Sequence, residues 1–131
     1  MPINRILLVG HCGADSYGLR RMLAAAAPDV AIESINDGQA LERAASPQTL
    51  LLVNRVLDGS FSTHEGVALI AALAQRGDRL RMMLVSNYAD AQAAAVAAGA
   101  LEGFGKSEMS APATHERSRA ALGDDVANAA G

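Results

Sequence analysis

Cysteine, aromatic residues and long apolar runs are all scarce in this sequence. Cys12 is the only cysteine among 131 residues, so no disulfide can form within the chain, and this usage is typical of a reducing cytosol. Aromatic residues make up 3% of the chain and tryptophan is absent. Hydrophobic residues nevertheless make up 50%. The sequence therefore predicts an aliphatic core that forms without a metal or a disulfide.

The missing features also argue against several classes of protein. The apolar run at residues 6–9 is too short for a signal peptide, and no stretch approaches the ~20 apolar residues of a membrane helix. We therefore expect a cytoplasmic protein without membrane attachment. The formal net charge is −3, whereas nucleic-acid binding requires a basic stripe. No nucleic-acid partner is expected.

The residues that are present alternate between short apolar runs and Ala-rich runs with helical spacing. The pattern predicts strands at residues 6–9, 30–35, 50–53, 82–85 and 103–105, and helices at about 15–27, 38–45, 63–75, 89–98 and 112–122. The central strands are continuously apolar, which is typical of parallel strands covered on both faces.

Five strand–helix units predict an α/β fold, a flavodoxin-like (βα)5 three-layer sandwich with a parallel sheet in the order 2-1-3-4-5. Residues 1–122 would form this domain, and residues 123–131 a flexible C-terminal tail. In such a sheet the site lies at the carboxyl ends of strands 1 and 3. The residues placed there are Gly10, His11, Asn54, Ser86, Asn87 and Lys106.

Over residues 4 to about 122 the chain resembles the receiver domain of bacterial response regulators. The matching features are the apolar run at 6–9, the run at 51–54, Gly66 opening the third helix, and the segment 84–86. The most specific feature is the triplet 98–100 followed six residues later by Lys106, which is the only lysine in the sequence.

The resemblance implies a phosphoacceptor pocket that has lost most of its chemistry. In the family, two acidic residues after strand 1 and an Asp after strand 3 hold Mg²⁺, and that Asp is the nucleophile. Here Gly10 and His11 stand at the acidic pair, or His11 and Cys12 with a one-residue shift. Asn54 stands at the phosphoacceptor position, and a neutral amide cannot act as the nucleophile. Only Ser86 and Lys106 match the hydroxyl and the lysine of the family.

Further departures affect the switch and the loops. Asn87 replaces a small residue, Gly103 stands where the family has its switch aromatic, and Phe104 is one position away, which points it to the other face of a strand. Ser107 replaces a proline, so we expect a trans peptide bond. The loop at 54–66 is longer than usual. The nearby carboxylates Asp15 and Asp58 have no spacing that supports a role in the site.

Several residues leave more than one interpretation open. His11, Cys12 and His64 could bind zinc or copper, but we expect separate loop residues and no metal or other cofactor. Cys12 is expected to be a small buried apolar group rather than a reactive thiol. We expect Lys106 to bond Asn54 or a loop carbonyl rather than an anion. The arginines at 76, 79 and 81 are expected to form a solvated rim.

The resemblance therefore implies a degenerate receiver, or pseudo-receiver: a phosphorylation-independent signalling module of two-component type that acts by protein–protein interaction. Its partner face would be helix 4, strand 5 and helix 5, and homodimer formation is left open. The alternative is a small-ligand, anion or metal sensor that uses the vacated pocket. An enzyme is not expected, because phosphate-binding glycine motifs are absent and Ser86 has no evident histidine base.

Overall fold

The computed structural model describes residues 3–123. It contains five parallel strands in the order β2-β1-β3-β4-β5, so the predicted α/β flavodoxin-like topology is confirmed. The elements are β1 (Arg5–Val9), α1 (Gly13–Ala26), β2 (Ala31–Ile35), α2 (Gly38–Ala44), β3 (Thr49–Asn54), α3 (Gly66–Ala74), β4 (Arg81–Val85), α4 (Ala89–Ala97), β5 (Leu101–Phe104) and α5 (Pro112–Leu122). Residues 124–131 of the predicted tail lie outside the described residues.

Helices cover the sheet on both faces. Every side chain of β1, β3 and β4 except that of Arg5 is therefore buried. Alternate residues point to opposite faces. One face packs against α1 and α5 through Leu19, Leu23 and Ala121. The other packs against α2, α3 and α4 through residues such as Leu41 and Ile70. The three layers place the carboxyl ends of β1, β3 and β4 at one edge.

Some helices begin at a capping side chain and others do not. The Asp37 side chain accepts a 2.8 Å hydrogen bond from the Ala40 N–H and caps α2, whose start at Gly38 agrees with the predicted helix at residues 38–45. In contrast, α3 begins at Gly66 and not near Thr63. The Thr63 hydroxyl is used inside the loop, where it accepts from the Glu65 N–H at 3.2 Å. The helix start expected near residue 63 is therefore wrong, whereas Gly66 opens α3 as the resemblance implied.

The long connection between β3 and α3 is anchored to the β2–α2 turn. The Ser60 N–H donates to the Asn36 carbonyl at 2.9 Å, and the Ser60 carbonyl accepts from the Gly38 N–H at 2.8 Å. Leu57 turns inward and joins the core on the α3 side. This connection is an ordered part of the fold that covers the end of β1, where Gly10 lies directly against Leu57.

Arg81 corrects one expectation about the basic residues. Its side chain is buried and donates to the carbonyls of Ala121 and Gly123, at 3.0 and 2.8 Å. It therefore closes the C-terminal end of α5 and does not belong to a solvated rim. Arg76 and Arg79 are exposed as predicted. Within residues 3–123, none of the helices has the length and apolar character required to cross a bilayer.

Candidate functional site at the carboxyl edge of the sheet

Asn54, the last residue of β3, is buried, and both the Nδ2 and the Oδ1 of its side-chain amide form hydrogen bonds. Its Nδ2 donates to the carbonyls of Gly10 at 3.0 Å and Val56 at 2.7 Å, and its Oδ1 accepts from the Arg55 N–H at 3.0 Å. Carbonyls only accept and a backbone N–H only donates, so these partners define the orientation of the amide. Asn54 joins the loop after β1 to the loop after β3.

His11 fills the place where the family has acidic residues, and it points into the protein. It is 2% exposed, and its Nε2 donates to the Leu52 carbonyl at 2.8 Å. The Nδ1 atom is buried and has no hydrogen-bond partner within residues 3–123. Burial lowers the pKa of His11, and the nearby charge of Lys106 lowers it further. His11 is therefore neutral at pH 7.

Lys106 is paired with a residue that the sequence did not single out for it. Its Nζ donates to Asp15 Oδ2 at 2.6 Å, and the two side chains are 35% and 28% exposed. The expectation of a bond to Asn54 or to a loop carbonyl is wrong, because α1 begins at Gly13 and places Asp15 in its first turn. The Lys106 ammonium lowers the pKa of the Asp15 carboxyl.

Ser86 and Asn87 follow β4 and face the same cavity as Lys106. Ser86 is buried, and its Oγ accepts from the Tyr88 N–H at 3.1 Å. Asn87 Oδ1 accepts from both the N–H and the hydroxyl of Ser107, each at 3.0 Å. A proline at position 107 could not donate the first of these bonds. The bond before Ser107 is trans, as predicted, and Asn87 ties the loop after β4 to the turn after β5.

The strand that would carry a switch aromatic is irregular. Met83 pairs with Leu101 and Val85 with Phe104, so between these pairs the single residue Leu84 of β4 faces two residues of β5. A Cβ at Gly103 would overlap the Leu84 carbonyl oxygen, so glycine is required there. Phe104 is 1% exposed and packs in the core on the α1 and α5 side. The predicted opposite orientation of Phe104 agrees with this packing.

A cavity of about 330 Å³ opens at this edge of the sheet between the loops after β3 and β4. Its lining includes Asn54, Ser86, Asn87 and Lys106, so four of the six predicted site residues meet there. Gly10 lies beneath Leu57, and His11 lies in the interior.

A second pair of interacting side chains, Arg55 and Tyr88, lies at the mouth of this cavity and was not predicted from the sequence. The Arg55 guanidinium carbon lies 4.6 Å from the centre of the Tyr88 ring, a cation–π contact that bridges the two loops. Both residues are exposed, and Tyr88 is 61% exposed. The sequence does place both residues close to predicted site residues, because Arg55 follows Asn54 directly and Tyr88 lies two residues after Ser86. These positions meet only because β3 and β4 are adjacent.

Cys12 and His64 do not complete a ligand set with His11. Cys12 is exposed, so its predicted burial is wrong. His64 is also exposed, whereas His11 is in the interior. In the part of the chain that the structure describes, no group of three or more His, Cys, Asp or Glu residues is arranged to hold a metal ion.

Most residues that line the cavity are polar, and none of the lining residues carries a carboxylate. The one carboxylate that contacts Lys106 belongs to Asp15 and lies in an ion pair. Two loops frame the cavity, and each is fixed by an asparagine, Asn54 on one side and Asn87 on the other.

Solved structures provide an independent comparison of the fold. The chain is similar to a response regulator receiver domain protein (CheY-like) from Methanospirillum hungatei JF-1, at 18% identity over 98% of this chain and 99% of that chain, with a TM-score of 0.67. It is similar to the non-phosphorylated receiver domain of the stress response regulator RcsB from Escherichia coli, at 19% identity over 83% and 85%, with a TM-score of 0.61. A response regulator receiver domain from Rhodospirillum rubrum has 12% identity over 93% and 94%, with a TM-score of 0.60.

Sequence comparisons add no closer relationship. No protein-family model matches the sequence, and no curated protein is significantly similar to it. At such identities the structural likeness concerns the fold and not the activity. The strand order, the parallel register and these similarities agree, and the chain has the receiver-domain fold of two-component response regulators.

Proposed function

We propose that this domain is a signalling module of two-component type that works without phosphorylation, by binding another protein, and that it is not an enzyme. The proposal is supported mainly by the contacts of Asn54 and Lys106, which stand at the positions of the phosphoacceptor and the lysine in the resemblance. Asn54 holds two carbonyls through its amide, and Lys106 is held by Asp15. Phosphoryl transfer needs a carboxylate nucleophile and a divalent cation, and neither Gly10, His11 nor Asn54 supplies a carboxylate.

The partner face that we propose consists of α4, β5 and α5. Val96 on α4 is 47% exposed, and the small side chains of Ala93, Ala94 and Ala97 are exposed beside it. A shallow cavity of about 180 Å³ lies nearby between β5 and α5. Small side chains allow a partner helix to approach closely, which supports this face as a contact surface.

The test is to record amide chemical shifts with and without beryllofluoride and Mg²⁺. We expect no saturable shifts around Ser86 and Lys106, because no carboxylate is available to carry the beryllofluoride group. A receiver domain with an intact acceptor Asp serves as the positive control. Saturable shifts in the unmodified protein would contradict the proposal and favour the ligand-sensor alternative.

The variant Asp15→Asn separates two reasons for an inert pocket. If the shifts stay absent in this variant, the missing carboxylates alone explain the inertness. If saturable shifts appear only in Asp15→Asn, the ion pair with Lys106 is what closes the pocket, and phosphorylation independence still holds for the unmodified protein.

A further inference from the structure

The rim of the cavity carries an exposed cation, Arg55, that has no charged partner among residues 3–123. Of the two cationic side chains that line the cavity, Lys106 is paired with Asp15. The Arg55 guanidinium has no hydrogen bond or ion pair with any residue between 3 and 123. Its guanidinium carbon lies 4.6 Å from the centre of the Tyr88 ring. A guanidinium group presents its N–H donors as a planar fork, which can form a two-point contact with a carboxylate.

Exposed apolar side chains flank the same cation. Four large apolar side chains are exposed among the described residues, and two of them, Val56 at 53% and Tyr88 at 61%, line this cavity. Tyrosine and arginine are enriched among residues that contribute most to protein interfaces. The rim therefore presents a positive charge, unpaired within the described part of the chain, beside two exposed apolar side chains.

The backbone under these side chains is already fixed. The Arg55 N–H donates to Asn54 Oδ1 at 3.0 Å, and the Arg55 carbonyl accepts from the Gly66 N–H at 2.7 Å. The Tyr88 N–H donates to Ser86 Oγ at 3.1 Å. Fixed positions reduce the entropy that is lost when a partner binds.

We propose that Arg55, Val56 and Tyr88 form a second docking surface, which takes a protein segment with an Asp or Glu side chain between apolar neighbours. A carboxylate alone would bind weakly, because water screens an ion pair at an exposed arginine. Apolar neighbours on the same segment would cover Val56 and the Tyr88 ring. The inference rests on the proposed function in one respect, namely that the domain acts by binding protein.

The test uses an acetylated, amidated peptide with the sequence Ala-Leu-Glu-Phe-Ala and its counterpart with Gln in place of Glu. Amide shifts should saturate for the Glu peptide and be confined to the region of Arg55, Val56, Asn87 and Tyr88. The Gln peptide should bind about two- to fivefold more weakly, which is the range that an exposed ion pair supplies.

Two variants make the test specific. Arg55→Gln should reduce the affinity for the Glu peptide to that for the Gln peptide. The matched control is Arg21→Gln, because Arg21 lies 6.0 Å from the ring centre of the exposed Tyr17 on α1, away from the cavity. This control should leave binding unchanged.

Three outcomes would overturn the docking surface: no saturable shifts at the solubility limit of the peptide, equal affinity for the Glu and Gln peptides, or binding of free glutarate as tight as that of the Glu peptide. The last result would indicate a site for small carboxylates. If the peptide test fails while beryllofluoride still causes no shifts, only the proposed docking surface is wrong and the proposed function stands. A positive beryllofluoride result removes the proposed function whatever the peptides do.

Discussion

At the residue scale, the three hydrogen bonds of Asn54 predict the result of restoring a carboxylate. Asn54→Asp would place carboxylate oxygens against the Gly10 and Val56 carbonyls, which now accept from Nδ2 at 3.0 and 2.7 Å. Two acceptors cannot bond each other, so we expect a loss of about 1–3 kcal/mol in the free energy of unfolding at pH 7. Urea titration measures this loss.

The matched control for this change is Asn87→Asp. Asn87 uses its Oδ1 to accept from Ser107, and a carboxylate can accept the same bonds. We expect a change within about 0.5 kcal/mol. Neither variant should bind Mg²⁺ in a titration, because a single carboxylate is a poor site. An Asn54→Asp protein as stable as the unmodified one would show that the amide contacts contribute little.

His11 makes stability depend on pH in a predictable direction. Burial lowers the pKa of the folded-state imidazole below its ordinary value of about 6.5. Below that pH the unfolded chain binds a proton that the folded chain does not, so stability falls as the pH decreases. The slope from one such group is at most about 1.4 kcal/mol per pH unit. It is absent above pH 7.5, where both states are neutral.

Urea midpoints at pH 7.5 and 5.5 measure this effect. The variant His11→Gln, whose amide can still donate to Leu52, should lose less stability than the unmodified protein over this interval. His64→Gln, the same substitution at an exposed position, should retain the full loss. Equal losses in His11→Gln and the unmodified protein would assign the pH dependence to other groups.

At the element scale, the connection between β3 and α3 depends on Gly59. Its φ is +126°, and a Cβ there would overlap the carbonyl oxygen of Asn36. Gly59→Ala should therefore disturb the anchor between Ser60 and the β2–α2 turn, with a loss of about 1–3 kcal/mol. Chemical denaturation measures the loss, and amide exchange should increase at Gly38 and Ser60.

Gly13→Ala is the control for the glycine substitution. Nothing lies within 4 Å of a Cβ at Gly13, and this residue begins α1 without a positive φ. Alanine there restricts the unfolded chain, so the change should be neutral or slightly stabilising. If both substitutions have the same effect, the close approach to Asn36 does not determine the stability of this loop.

Helix boundaries show how local and non-local interactions compete. Pro112 begins α5 and Asp37 caps α2, and both boundaries were readable because the residue itself supplies the signal. The start of α1, and the start of α3 that the local pattern placed near residue 63, differ from the structure. Cys12 and Glu65 precede these helices without a capping side-chain bond, so their positions depend on how the adjacent loops pack.

At the scale of the whole molecule, a few long-range contacts fix the elements around the sheet. Lys106 and Asp15 are 91 residues apart in the chain and join α1 to the turn after β5. Arg81 joins the start of β4 to the end of α5. Gln92 on α4 donates to the carbonyls of Leu84 and Phe104, and so spans β4 and β5. The contacts of Lys106 and Gln92 lie toward the carboxyl edge that carries the candidate site, whereas Arg81 lies at the amino end of β4.

The sequence by itself determined the fold class, the order of the elements and the residue types at the carboxyl edge of the sheet. Buried parallel strands appear as continuous apolar runs, and a helix-start signal such as Pro112 is local to the residue, so both can be read from the sequence. The residue types at positions 54 and 106 are likewise legible without coordinates, and they place Asn54 and Lys106 at one edge once the strand order is known.

Only the tertiary structure decided which side chains pair there. Asp15 reaches Lys106, Arg55 stacks on Tyr88, and Arg81 turns inward to α5. Each contact joins elements far apart in the chain, and its geometry depends on helix starts and strand registers that shift by one or two residues. Local patterns predict an element more reliably than its exact ends, so the partners of individual polar side chains emerge only when the elements pack.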